Sequence, residues 1–254
     1  MEKQITINNR CLSFSGHDDP YFSHIESDPG LNLIQYCKTL LPTSPTILDV
    51  GANIGFTSAI FSVMDPNALI YSLEPGTKNF EFLKRNITQN NLTNIKAFNL
   101  AAGNRDTTLS FKENSAWGHL EETVNPDNGQ DSVRVTTLDT FVFEQNLHKI
   151  DLVKIDVEGY EQKVLEGMEK ILKKFNPKII FEFNSFCMLA YGNCNPYDFL
   201  KIIDERFKFK YLFNKSQYPT NEILKEAKNP DFARYYLHQN IVLHGSVDDF
   251  LVYN

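Results

Sequence analysis

The sequence predicts an α/β fold: a mostly parallel sheet with helices on both faces, closed near its C-terminal side by an antiparallel hairpin. Three observations predict it. Apolar runs of strand length alternate with helical patterns between Thr46 and Phe183. In Ile47-Leu48-Asp49-Val50-Gly51-Ala52-Asn53-Ile54-Gly55, a buried strand runs into a glycine turn and then a helix. A second apolar run, Leu69-Ile70-Tyr71-Ser72-Leu73, ends in Glu74, roughly 25 residues after Asp49. Strand, glycine turn, helix, strand and terminal acid make one half of a nucleoside-binding sheet.

In chain order, residues up to about Gly30 read as a short hairpin (Thr6, then Cys11 to Phe14) followed by a polar, aromatic loop. His17, Asp19 and Tyr21 of that loop are candidate substrate contacts if it lies over the site. Leu31 to Leu41 carries apolar residues at helical spacing and stops before Pro42. The core then alternates: strand Thr46–Val50, helix Thr57–Met64, strand Leu69–Leu73, helix Lys78–Asn90, strand Ile95–Leu100. Thr107–Phe111 and Val133–Thr137 read as short antiparallel strands around a long polar loop, Lys112 to Gln130, holding Trp117 and His119. Loops of that length beside a ligand site are often functional, so both are candidate substrate residues. A strand through Asp151–Ile155 leads to Asp156, Glu158 and Gly159, a helix to about Lys174, and strand Lys178–Phe183 with Glu182 and Asn184. Helix Pro196–Phe207, strand Lys208–Phe213 and strand Asn240–His244 complete the chain, the last two as the closing hairpin. Residues 1–45 are expected to pack on a single domain formed by residues 46–254.

Ligands of open α/β sheets bind beyond the carboxyl ends of the strands. Asp49, Glu74, Ala101, Asp156 and Glu182 all fall at or near such ends. Gly51 and Gly55 let the chain turn sharply and a ligand approach the backbone, and helix-start amides favour an anionic group. Glu74 is placed to accept hydrogen bonds from both ribose hydroxyls. The pattern D-V-G-A-N-I-G lacks the first glycine pair of the dinucleotide fingerprint, so it suits S-adenosylmethionine better than a nicotinamide or flavin cofactor. Asp156, Glu158 and Glu182 are the candidate catalytic residues: one acid can take a proton from a substrate hydroxyl. Asp156 and Glu182, with Asn184, are also a candidate oxygen ligand set for a Mg²⁺-type ion.

The formal net charge of −7 and pI near 5.4 give no electrostatic reason to expect nucleic acid. Four cysteines without a C-x-x-C pair fit a reduced, cytoplasmic chain. The N-terminus has no apolar core of signal-peptide length, and no apolar run approaches about 18 residues, so membrane insertion is not expected.

The segments I-L-D-V-G-A-N-I-G-F-T-S, Y-S-L-E-P, N-L-A-A-G-N, V-T-T-L-D-T-F, D-L-V-K-I-D-V-E-G-Y-E and I-I-F-E-F occur in that order over about residues 45–185. In them the chain resembles the FkbM-type S-adenosylmethionine-dependent methyltransferases. The resemblance implies a class I methyltransferase (Rossmann-like) fold, seven-stranded with the last strand antiparallel. It implies cofactor contacts at Asp49, Gly51, Asn53, Gly55 and Glu74, the adenine near Ala101 and Ala102, and a reaction centre lined by Lys154 to Glu161. It also implies O-methylation of a sugar, glycan or small-metabolite hydroxyl. The alternatives are a non-catalytic nucleoside-binding module, which would not need Asp156, Glu158 and Glu182, and an NAD-dependent oxidoreductase, which the missing G-x-G-x-x-G disfavours.

Overall fold

The computed structural model describes residues 1–25, 31–121, 131–213, 232–243 and 245–254. In chain order the elements are β1 (Glu2–Ile7), β2 (Arg10–Ser15), α1 (Pro20–His24), α2 (Leu31–Leu40), β3 (Thr46–Val50), α3 (Phe56–Met64), β4 (Leu69–Leu73), α4 (Thr77–Gln89), β5 (Ile95–Phe98), β6 (Ala101–Gly103), β7 (Thr107–Lys112), β8 (His119–Glu121) and β9 (Asp131–Thr137). They continue with α5 (Leu138–Glu144), β10 (Leu152–Ile155), α6 (Glu161–Glu166), α7 (Glu169–Phe175), β11 (Lys178–Asn184), α8 (Ser185–Ala190), α9 (Pro196–Arg206), β12 (Phe209–Phe213), α10 (Phe232–Val242) and β13 (Val247–Tyr253).

The main sheet has seven strands in the order β12-β13-β11-β10-β3-β4-β5. Its pairs from β11 to β5 are parallel, and β13 runs antiparallel to both β11 and β12. This is the mostly parallel sheet with a closing antiparallel pair that the sequence predicts. Parallel strands bury both faces, and successive side chains point to opposite sides. Leu48, Val50, Val153 and Ile155 accordingly enter one apolar cluster, while Ile47, Ile70, Leu152 and Ile180 enter the other. Register then fixes the edge of the sheet. Val50 pairs with Leu73 and with Ile155, and Ile155 pairs with Phe181, so all four lie in one row. The next residue of each strand, Gly51, Glu74, Asp156 and Glu182, therefore lies along one sheet edge.

A second sheet, β6-β9-β7-β8, flanks that edge. Ala101–Gly103 leaves the main sheet to pair in parallel with β9. The polar loop expected from Lys112 holds a 3₁₀ turn (Ser115–Trp117) and β8; its residues 122–130 lie outside the described residues. The N-terminal hairpin turns at Asn8 and Asn9, both with positive φ, as a two-residue hairpin turn requires. Its second strand is tied to α4, where Ser13 and Ser15 N–H groups donate to Asn90 and Asn86 side chains at 2.8 Å.

Two expectations are corrected. The last strand is Val247–Tyr253, not Asn240–His244; Asn240–Val242 instead ends α10, and His244 lies outside the described residues. The β-branched run Ile241-Val242 imitates a strand, but both residues and Leu243 are exposed. Tyr236 and Asn240, one helical turn apart, both donate to Asp248 Oδ2 (2.6 and 2.7 Å), which favours the helix and anchors it to β13. The helix expected to reach Lys174 is broken at Gly167–Met168 into α6 and α7, where a Cβ at Gly167 would lie 1.9 Å from the Gly103 carbonyl oxygen. Among the described residues no helix is long and apolar enough to cross a membrane.

Candidate active site

A cavity of about 350 Å³ opens at the carboxyl ends of β3, β4, β10 and β11, under the second sheet and the segment around α1. Its size is that of a small-molecule site, for which roughly 300–1,000 Å³ is usual. Gly51, Asn53, Glu74, Ala101, Ala102, Trp117, His119, Asp156, Glu158, Glu182, Asn184 and Tyr21 all line it. Residues from almost every part of the chain thus converge on one space.

At the first strand exit, Gly51 has φ +77, and a Cβ there would lie 1.8 Å from the carbonyl oxygen of Asp156. This glycine is required by the neighbouring backbone. Gly55 is not on the cavity wall; it opens α3, and a Cβ there would press on Leu83. Asp49 does not reach the wall either. It is fully buried, accepts a hydrogen bond from Ser58 Oγ, and faces Lys154 Nζ at 3.7 Å.

Glu74 is buried, with both carboxylate oxygens in use: Oε2 accepts from Asn53 N–H and Oε1 from Gly76 N–H, each at 2.8 Å. The acid therefore ties the β3 turn to the end of β4. Burial pushes its pKa from 4.5 up to about 7, against the pull of those hydrogen bonds. The Asn79 side chain also faces this carboxylate, which still has acceptor capacity for a ligand hydroxyl. Asn53 Oδ1, on the same wall, is buried without a hydrogen-bond partner.

At the far end, Asp156, Glu158 and Glu182 bring one carboxylate oxygen each to within 4.8 Å of one another. Their convergence depends on a tight turn. Glu158 adopts φ 52 and Gly159 φ 100, and buried Glu161 accepts the N–H groups of Val157 and Gly159 at 3.1 and 3.2 Å. Burial raises Glu161 to about 7 as well. Asn184 lines the same cavity, and its Oδ1 accepts the Cys187 N–H and caps α8, while Glu158 joins Asp156 and Glu182 in the acid cluster.

The resemblance places Lys154 at the start of the segment lining the reaction centre but gives it no role; the structure shows what it contacts. Lys154 is the Cα partner of Asp49, and its Nζ lies 3.1 Å from Asp156 Oδ2 and 3.3 Å from the Gly51 carbonyl oxygen. Burial works to lower its pKa, but Asp156 and Asp49 override this and hold it above the usual lysine range. A lysine inside the apolar run Leu152–Ile155 was the signal for it.

The roof is made of residues remote in sequence. Asp19 caps α1 through Phe22 N–H and accepts from the Ser115 hydroxyl. His17 Nε2 and Asn79 Oδ1 are 2.8 Å apart, and Asn79 Nδ2 donates to the Ser115 carbonyl at 2.8 Å. His17 and Asp19 are thus engaged in holding the roof, whereas Tyr21 is on the cavity wall. Burial and the nearby Asp156 carboxylate push the Tyr21 hydroxyl up to about 12, so it is a hydrogen-bonding phenol at neutral pH.

The model of the methyltransferase FkbM domain matches residues 49–211. The chain belongs to the FkbM methyltransferase family. The chain is similar to the 2-O-methyltransferase NoeI of Sinorhizobium fredii, at 27% identity over 157 residues, 55% of this chain and 64% of that one. It is also similar to the hexuronic acid methyltransferase AglP of Haloferax volcanii, at 28% identity over 158 residues, 62% of this chain and 60% of that one. The chain therefore spans about three fifths of the length of these relatives. In structure it is similar to the FkbM methyltransferase of Methylobacillus flagellatus, with a TM-score of 0.50 and 14% identity over 89% of this chain and 53% of that one. The fold is that of the class I methyltransferases.

Proposed function

We propose that this FkbM-family chain transfers a methyl group from S-adenosylmethionine to a hydroxyl of a sugar, glycan or small-metabolite acceptor. One observation carries the reading: a single cavity holds a ribose-type carboxylate, Glu74, at one strand end and a cluster of three acids at others. The cavity wall fits the cofactor. Asn53 Oδ1 is a buried acceptor without a partner, Glu74 has lone pairs for a diol, and Ala101 and Ala102 offer an apolar surface to a base. Glu74 would hold the ribose, Asn53 and the β3 turn the amino-acid end, with Asp49 acting from beneath through Lys154. When bound, S-adenosylmethionine supplies an already activated methyl group, so alignment of the acceptor oxygen is the main demand on the protein.

Asp156 is the base in this reading. It would accept the acceptor hydroxyl's proton as the methyl carbon exchanged its bond to sulfur for one to oxygen, S-adenosylhomocysteine leaving with the sulfur's electron pair, with Lys154 fixing its carboxylate and Glu158 and Glu182 orienting neighbouring hydroxyls. Tyr21, Trp117 and His119 would contact the acceptor. A second reading has a Mg²⁺-type ion held by Asp156, Glu158 and Glu182, favoured by the spacing of their oxygens; such an ion would lower the pKa of the bound hydroxyl. Residues 46–254 would form the catalytic domain, with residues 1–45 packing on its core and the segment around Tyr21 reaching over the cavity.

Calorimetric titration with S-adenosylhomocysteine and with NAD tests the cofactor. Binding of the former and not the latter is expected, and binding of NAD alone overturns the proposal. Transfer of labelled methyl groups to an acceptor panel, with and without chelator, then tests the chemistry and the role of the ion.

A further inference from the structure

Beside the acid cluster lies a run of aromatic rings with no role in the fold's core. His119, only 9% exposed, lines the cavity and stacks on Tyr191 with centroids 3.9 Å apart and planes 12° apart. Tyr191 is 38% exposed and meets Phe186, itself 61% exposed, edge to face at 6.1 Å. The first turn of α8 is held at the acids, because Cys187 Sγ donates to Glu158 Oε2 at 3.1 Å. The rings therefore form a ledge leading from the cavity wall to the surface. Scattered exposed apolar residues need no explanation, but rings in mutual contact that continue outward from a cavity wall do.

We infer that this ledge and the adjacent acids select an acceptor that presents a ring face and is uncharged or cationic, and that they reject one bearing a carboxylate or phosphate. The inference rests on the methyltransferase reading and deepens it. Aromatic faces carry negative potential and attract C–H faces and cations. Asp156, Glu158 and Glu182 add negative charge at the same place, and Lys154, the lysine on the cavity wall, is already turned to Asp49 and Asp156. An anionic acceptor would meet like charge on a wall with no other Lys or Arg among the described residues.

Trp117, the single tryptophan of the sequence, lies on the cavity wall at 45% exposure and reports occupancy directly. The full chain, saturated with S-adenosylhomocysteine in chelator, would be titrated with methyl glucoside, methyl glucosaminide and methyl glucuronide. The first two are expected to change Trp117 fluorescence saturably, with the glucuronide at least about tenfold weaker and the gap narrowing at high salt and in Glu182→Gln. Tyr191→Ala should weaken glucoside binding about fivefold or more, Tyr191→Phe should restore it, and neither should change the Kd for S-adenosylhomocysteine. Equal binding of the glucuronide, an unchanged Kd in Tyr191→Ala, or no saturable signal from any glycoside overturns the inference. Failure of S-adenosylhomocysteine to bind in calorimetry would instead overturn the methyltransferase reading, whatever the glycosides do.

Discussion

Lys154 Nζ and Asp156 Oδ2 stand 3.1 Å apart at the exit of β10, two residues apart on one face of the strand. The same ammonium faces Asp49, which is wholly buried. Removing one partner of a buried pair leaves an uncompensated charge and costs about 3–5 kcal/mol. Lys154→Met is expected to lose stability on that scale in urea unfolding at pH 7. The double variant with Asp49→Asn should recover much of it. Additive losses would show that the two residues are not coupled.

Glu74 titrates at about 7 in the fold against 4.5 when unfolded. Its pKa is raised, so its contribution to stability is complete below pH 4.5 and is lost as pH rises through 7; Glu161 acts in the same direction. The Tm of the unliganded chain should therefore fall between pH 5 and 8. Hydrogen bonds from a ribose favour the ionised acid, so affinity for S-adenosylhomocysteine should run the other way, about tenfold weaker at pH 6 than at pH 8. Glu74→Gln should flatten that profile, and Glu74→Ala should weaken binding by about 1–3 kcal/mol. A pH-independent Kd in the native chain would remove Glu74 from the site.

Glu158 holds a left-handed backbone conformation that costs an L-residue about 1–2 kcal/mol. Strain of this kind at an acid cluster is characteristic of functional sites. Glu158→Gly relieves it, so stability should stay within about 1 kcal/mol of the native chain. Methyl transfer should nevertheless fall on the order of tenfold or more. Undiminished turnover would make Glu158 a turn residue only.

Gly51 combines a positive φ with the Asp156 carbonyl oxygen only 1.8 Å from where a Cβ would sit. Gly51→Ala adds backbone strain to overpacking, together about 2–5 kcal/mol. Thermal unfolding should show a Tm drop on the order of 10 °C for a chain of this length. A native-like Tm would mean that the β3 and β10 exits separate easily.

Much of the architecture is written locally. Thr46–Val50 and Leu69–Leu73 are strands with the bounds their apolar runs predict, because a strand buried on both faces has to be apolar at successive positions. The tail is set by contacts rather than by its local pattern. Ile241 and Val242 have strand character as residue types, yet Tyr236 and Asn240 bind Asp248 from successive turns of a helix. The break at Gly167 likewise depends on a partner elsewhere, the carbonyl of Gly103.

By itself, the sequence determined the α/β alternation, the glycine turn after β3 and the presence of acids at the ends of β4, β10 and β11, since strand period and turn chemistry are properties of neighbouring residues. Tertiary structure alone decided which of those acids meet, that Asp49 lies sealed beneath Lys154, and that His119 stacks on Tyr191. Such pairings join residues far apart along the chain. Packing and burial set them, and neither is encoded in the local pattern.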